Sequence, residues 1–215
     1  MFYVYISLLF RKLLLFCNPK RITPVKVMQK SDSYIIFNKE QLSKIGNTML
    51  YIAERVNDLS KTKLLKLIYI LDEFSIKKGG IPFLNLKYKV WKFGPVSEEL
   101  FVDLSSGLSL VRNYIEKTDG YIRPKATFDD SEFSDNDVEL MDVVISRFGN
   151  KNTKELIEYT HRENSPWYNT AEENGILNSL LKEEITTTEL SIDLSSLIEH
   201  DPIKKQIYNT FQECN

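Results

Sequence analysis

SKTKLLKLIYILDEFSIKKGGIPFLNLKYKVWKFGPVSEEL, residues Ser60 to Leu100, decides the fold of this chain. Ser60 is a residue type that caps helix N-termini with its side-chain oxygen. Leu64, Leu67, Ile68, Leu71 and Phe74 then recur at helical spacing, and Leu65 and Ile70 widen the apolar stripe. So wide a stripe places the helix near the centre of its domain. Lys77 and Lys78 complement the negative end of the helix dipole. Gly79 and Gly80 end the helix, and Pro82 keeps it from resuming. From Leu84 to Trp91 the pattern changes to strict alternation: Leu84, Leu86, Tyr88 and Val90 face one way, and Asn85, Lys87 and Lys89 the other. A period of two predicts a strand with one wet face. Phe93-Gly94-Pro95-Val96 reads as a turn, because glycine relieves backbone strain and proline fixes φ. Ser97 opens a short helix through Leu104, with Glu98 and Glu99 at its positive end.

Upstream of this stretch, a helix is expected from Asn38 to Val56, with Asn38 as cap and Gln41 at the capping-box position. Leu42, Ile45, Met49, Ile52 and Val56 share a face; Lys44, Asn47 and Glu54 oppose it, which reads as a surface helix. Downstream, Val111–Lys117 and Tyr121–Arg123 flank Asp119-Gly120, a hairpin turn signal. Thr127–Asp137 is acidic and reads as loop. Ser134 with Asp137 opens a helix to Gly149, and Asn152 with Glu155 opens another to about His161, which Asn164-Ser165-Pro166 breaks. Ile176–Ile185 has helical character, and Thr186–Leu194 is ambiguous between strand and loop. Asp201-Pro202 starts a final helix in which Ile203, Ile207 and Phe211 share a face. The fold class is mainly α (α+β): a single helical domain with a small antiparallel hairpin or sheet.

The bulk numbers agree with one domain. The chain has 215 residues, 42% hydrophobic and 27% charged, enough for a real core. A net charge of -2 gives no basic footprint, so nucleic acid is an unlikely partner for the chain as a whole. Cys17 and Cys214 sit at opposite ends, which is neither a disulfide framework nor a metal-ligand spacing and reads as a reducing cytoplasm. Two histidines, His161 and His200, are too few for a histidine-built metal site. No run of apolar residues is long enough to span a bilayer. MFYVYISLLFRKLLLFC at the N-terminus is apolar but interrupted by Arg11 and Lys12. It lacks both the leading positive charge and the small cleavage-site residues of a signal peptide. Residues 1–30 are therefore read as an extension, packed or exposed, or as sequence preceding a start at Met28. The domain proper is placed at 34–215, with residues 171–215 as a C-terminal helical extension.

The chemistry-bearing residues are sparse. His161 and Glu163 lie near Trp167 and could form an acid–base pair, but no nucleophile motif accompanies them. A helix-end histidine packed on Trp167 is the simpler reading. Asp72 and Glu73 are adjacent on a helix, diverge by about 100°, and read as a solvated face. Lys61, Lys63, Lys66, Lys77, Lys78, Lys87, Lys89 and Lys92 interleave with Tyr69, Tyr88, Trp91 and Phe93. That mix can bind single-stranded nucleic acid, build a protein interface, or simply solvate a packed core. There is no phosphate loop, dinucleotide fingerprint, nucleophile elbow or HExxH, so neither a cofactor nor catalysis is expected.

Three separated pieces, in order, carry a resemblance. They are Lys63-Leu64-Leu65-Lys66-Leu67-Ile68-Tyr69, Phe93-Gly94-Pro95-Val96, and Thr160-His161-Arg162-Glu163 with Pro166-Trp167. Together they resemble the Panacea domain, the SocA-like family of bacterial and phage antitoxins, with Phe93 standing where the family has tyrosine. The likeness runs from about Asn38 to Thr170. It implies a mostly helical domain that neutralises a cognate toxin by protein–protein binding. It also marks Lys63, Lys66, Tyr69, Trp91, Phe93, Gly94, Pro95, Val96, His161, Glu163 and Trp167 as family-motif or partner-binding candidates.

Overall fold

Two helices, α1 (Lys39–Arg55) and α2 (Lys61–Gly79), form the centre of the protein. The structure is a computed structural model and describes residues 37–214. The expectations for residues 1–30 fall outside that range.

Both helices start where their caps predict. The Asn38 side chain accepts from Gln41 N–H at 2.7 Å, and the Ser60 hydroxyl accepts from Lys63 N–H at 3.2 Å. The expected capping box at Asn38 is only half made: the Gln41 amide turns away and donates to the Leu84 carbonyl. α1 is not the surface helix its pattern predicts. It is buried without a break from Ile45 to Ala53, Asn47 and Thr48 included. Asn47 is accommodated because its amide donates to Ser43 O and its oxygen accepts from Asp129 N–H. A buried amide with its hydrogen bonds made costs little. α2 ends at Gly80, in the left-handed region at φ 76°.

After α2 the alternation from Leu84 to Val90 holds as burial, but the regular strand is short. β1 (Lys89–Trp91) pairs antiparallel with β2 (Gly94–Val96) across the two-residue loop Lys92-Phe93. On its other side β1 is flanked by the segment around residues 186–192. Val90 N–H donates to Leu190 O, and Ile192 N–H donates to Tyr88 O. That settles the ambiguous stretch as extended chain. α3 (Glu98–Ser106) follows and stops at Gly107. A second hairpin, β3 (Ile115–Thr118) and β4 (Tyr121–Pro124), turns at Asp119-Gly120 with both φ positive, at 53° and 82°. Its first arm is shorter than expected, since residues 111–114 form turns.

α4 (Asp135–Phe148) and α5 (Thr153–Thr160) both begin with complete capping boxes, Ser134/Asp137 and Asn152/Glu155. α6 (Pro166–Glu173) was not foreseen. Ser165 caps it and Pro166 fills the first helical position, so the residues that end α5 also start the next helix. α7 (Leu177–Leu181) is half the length expected. A 3-10 turn (Leu194–Ile198) precedes α8 (Pro202–Cys214). Ile203 does not pack: it is exposed, and Tyr208 leans on the core. Cys214 is not a free thiol, which the cysteine count alone did not foretell.

One hydrophobic core joins α1, α2, α4, both hairpins and the C-terminal segment through Leu180, Ile192, Leu194 and Ile198. Each fully buried aliphatic or aromatic side chain in it contributes about 1.5–3 kcal/mol. Among the described residues no helix is long and apolar enough to cross a membrane.

Candidate functional site

Polar side chains enter this core along one stripe of α2: Lys66, Tyr69 and Glu73, three and four residues apart. The Lys66 amine is 1% exposed and donates to Pro95 O at 2.7 Å. Burial pushes its pKa from 10.5 down to about 7. The sequence leaves this lysine open between a nucleic-acid site, a protein interface and a solvated cover; the structure places it inside.

Pro95 belongs to β2, and its neighbour Gly94 explains the close approach. Gly94 has φ 98°, and a Cβ there would lie 2.7 Å from Thr160 Oγ1 and 3.1 Å from Lys66 Nζ. Only glycine fits a left-handed backbone pressed against two side chains. Thr160 ends α5. His161, which follows, stacks on Trp167 with ring centroids 3.8 Å apart and planes 15° apart. Trp167 is buried and its indole N–H donates to Trp91 O at 2.9 Å. The three motif pieces thus meet: α2 holds β2, β2 packs on α5, and α6 holds β1 through Trp167.

His161 therefore packs as the simpler reading expected. Burial first, and then the Lys66 charge, push its pKa from 6.5 down to about 4, so the ring is neutral at pH 7. Its Nε2 has no hydrogen-bond partner among the described residues. Glu163 is exposed. The hydroxyls on either side are occupied structurally: Thr160 Oγ1 donates to Ile157 O, and Ser165 Oγ donates to Thr160 O and accepts from Tyr168 N–H.

Asp72 and Glu73 are the clearest correction. They were expected on a solvated face, and both are 0% exposed. Asp72 accepts from Leu84 N–H and from the Tyr88 hydroxyl, each at 2.6 Å. Burial raises its pKa while those bonds pull it back. The strand is short because Asn85 has a positive φ of 53° and the Leu84 N–H and Tyr88 hydroxyl turn to Asp72. Glu73 Oε1 takes the Arg162 guanidinium, Lys77 Nζ at 2.6 Å and the Tyr159 hydroxyl at 3.4 Å. Burial, and next the Glu73 charge, push Tyr159 up to about 12. Tyr69 is pushed up for the same two reasons. Tyr69 OH and Glu73 Oε2 have no hydrogen-bond partner among the described residues. Readable signs did exist. With apolar residues all round α2, no open face remained for two acids.

The basic-aromatic region is dismantled by folding. Lys63 Nζ donates to Asn57 O. Lys77 pairs with Glu73, Lys78 with Glu139, Lys89 with Glu98 and Glu189, and Lys92 with Glu183. Tyr69 and Tyr88 are buried with rings edge to face at 5.1 Å. Of the candidates, Lys63, Lys66, Tyr69, Gly94, Pro95, Val96 and Trp167 are buried, while Trp91 and His161 are half-buried. Phe93, at 55% exposure on the hairpin tip, and Glu163 are open to solvent. No group of three His, Cys, Asp or Glu side chains among the described residues is arranged to hold a metal ion.

The family model described as antitoxin SocA-like, Panacea domain, matches residues 64–168. The match is a likeness of that stretch to the Panacea domain. The match starts inside α2 and ends inside α6, so it takes in all three motif pieces except Lys63, and it covers just under half of the chain. No curated protein and no solved structure gives a significant match. Across the matched stretch the motif residues hold secondary-structure elements together, and most of them face inward.

Proposed function

We propose that this protein is an antitoxin that neutralises a cognate toxin protein by binding it, acting in the cytoplasm and catalysing no reaction. The observation that carries this is the Panacea-domain match over residues 64–168. The geometry supports binding by shape. The titratable motif groups Lys66 and His161 serve packing, and the elements they join form one continuous core. A surface mounted on such a core loses little entropy on docking. The working unit is taken to be the core from about residue 38 to 170, with residues 171–215 packed on it. Phe93, the most exposed aromatic named above, is a candidate contact, because exposed aromatic rings are enriched among the residues that dominate interfaces.

The test is co-expression with the product of each adjacent gene. The reading expects one product to stop growth alone, growth to return when both are made, and the pair to co-elute on size exclusion. Neither rescue nor a complex with either neighbour would contradict it.

A further inference from the structure

Lys77, Lys78, Lys89 and Lys92 find carboxylates, but the cations around the β3–β4 hairpin do not. Lys61, Arg112, Lys117, Arg123 and Lys125 have no ion-pair partner among the described residues. Lys61 opens α2, Arg112 lies in the turns before β3, Lys117 and Arg123 lie on the β3–β4 hairpin, and Lys125 follows it. Lys61 Nζ donates to Ser105 Oγ, and Lys117 Nζ to Leu104 O, both at the C-terminal end of α3. Burial first, and then the nearby Lys117 charge, lower the Lys61 pKa. Lys125 Nζ donates to Arg112 O at 3.0 Å. The β-bridge between Ser60 and Tyr121 carries the strand bearing Arg123 up to Lys61.

Apolar and aromatic surface lies among these charges. Lys61 Nζ sits 4.0 Å over the Phe101 ring, Val102 is exposed on the same helix, and Arg123 sits over the exposed Tyr121. Glu116 lies across the ladder from Arg123, but the cations outnumber the acids, and cations around an exposed ring are suited to meet an acidic patch that has an apolar centre. Two acids on the same hairpin, Glu116 and Asp119, argue against nucleic acid, because a phosphate backbone would meet them as well.

We propose that the face formed by α3 and the β3–β4 hairpin is the docking surface for the toxin, and that it recognises an acidic patch on that protein. This rests on the antitoxin reading above and names the chemistry of its partner. The charges steer the encounter and the rings anchor it, so the complex weakens as salt rises.

The experiment uses the full chain and the growth-arresting product of the neighbouring gene. Affinity is measured at about 50 and 300 mM salt, with Arg112→Glu/Arg123→Glu/Lys125→Glu beside the wild type. All three positions are exposed, so the variant should melt with the wild type; a control, Lys182→Glu/Lys205→Glu, carries reversals on α7 and α8. The expected result is a tenfold or greater loss for the triple variant, little change for the control, and a wild-type affinity that falls with salt. If the wild type binds and the triple variant binds as tightly, this face is wrong while the antitoxin reading stands. If the wild type binds no neighbouring product, the antitoxin reading fails and the surface falls with it. Should the triple variant melt early, Lys61→Glu alone on α2 repeats the comparison with the same two outcomes. A 30-nucleotide single strand that binds at 50 mM salt, loses affinity in the variant and blocks the protein complex would overturn the proposal in favour of nucleic acid.

Discussion

Lys66 Nζ donates to the Pro95 carbonyl at 2.7 Å from inside the core, and this contact pins β2 to the central helix. A buried amine is costly to charge. Its pKa falls from 10.5 to about 7, so folding favours the neutral form. The stability it adds is complete above pH 10.5 and is lost as pH falls toward 7. Stability measured by urea between pH 7 and 9 is therefore predicted to rise with pH, and Lys66→Met is predicted to flatten that rise. An equally steep rise in the variant would assign the effect to another group.

His161 gives the acid-side counterpart. Its pKa drops from 6.5 to about 4, again favouring the neutral ring in the folded state. Its contribution is full above pH 6.5 and disappears as pH falls through 4. By NMR the ring should show no titration between pH 5.5 and 8. An inflection near 6.5 would mean that the stack on Trp167 is open to water.

Gly94 tests the closeness of β2 to α5. Alanine there meets both a positive φ and a 2.7 Å contact with Thr160 Oγ1. The backbone alone costs about 1–2 kcal/mol, and the clash adds to it. A loss of about 2–4 kcal/mol in chemical denaturation is predicted, in the range of strained positions. Gly94→Ala with Thr160→Ala should recover only part, because φ is unchanged. Wild-type stability in the single variant would contradict this geometry.

Arg162 and Glu73 form the ion pair that ties the end of α5 to α2. Glu73 is fully buried and Arg162 about a third exposed. Removing the guanidinium leaves the carboxylate with Lys77, so Arg162→Ala is predicted to cost about 1–3 kcal/mol, below the value for a fully buried pair because water reaches Arg162. Glu73→Gln in the same chain should restore a measurable part, seen as coupling in a double-mutant cycle. Strict additivity would show that the two side chains do not act together.

Much of this was legible in the residues. Asn38, Ser60, Ser134 and Asn152 mark helix starts because capping is local chemistry. Leu84, Leu86, Tyr88 and Val90 are buried as their alternation predicts. The three motif pieces were identified before their meeting was visible, since spacing along the chain says nothing of contact across it. Lys66, Asp72 and Glu73 were misplaced for one reason. A charged residue reads as solvated unless its partner is known, and the partners lie at Pro95, Tyr88 and Arg162, far along the sequence. α6 was missed because Ser165-Pro166 reads equally as a breaker and as a helix start.

The central claim is the proposal that this chain acts by gripping another protein. The most direct measurement is size-exclusion chromatography of the chain co-expressed with the growth-arresting product of its neighbouring gene. A single co-eluting peak, with growth restored in the same cells, is the predicted result. Separate peaks with arrest unrelieved would contradict it.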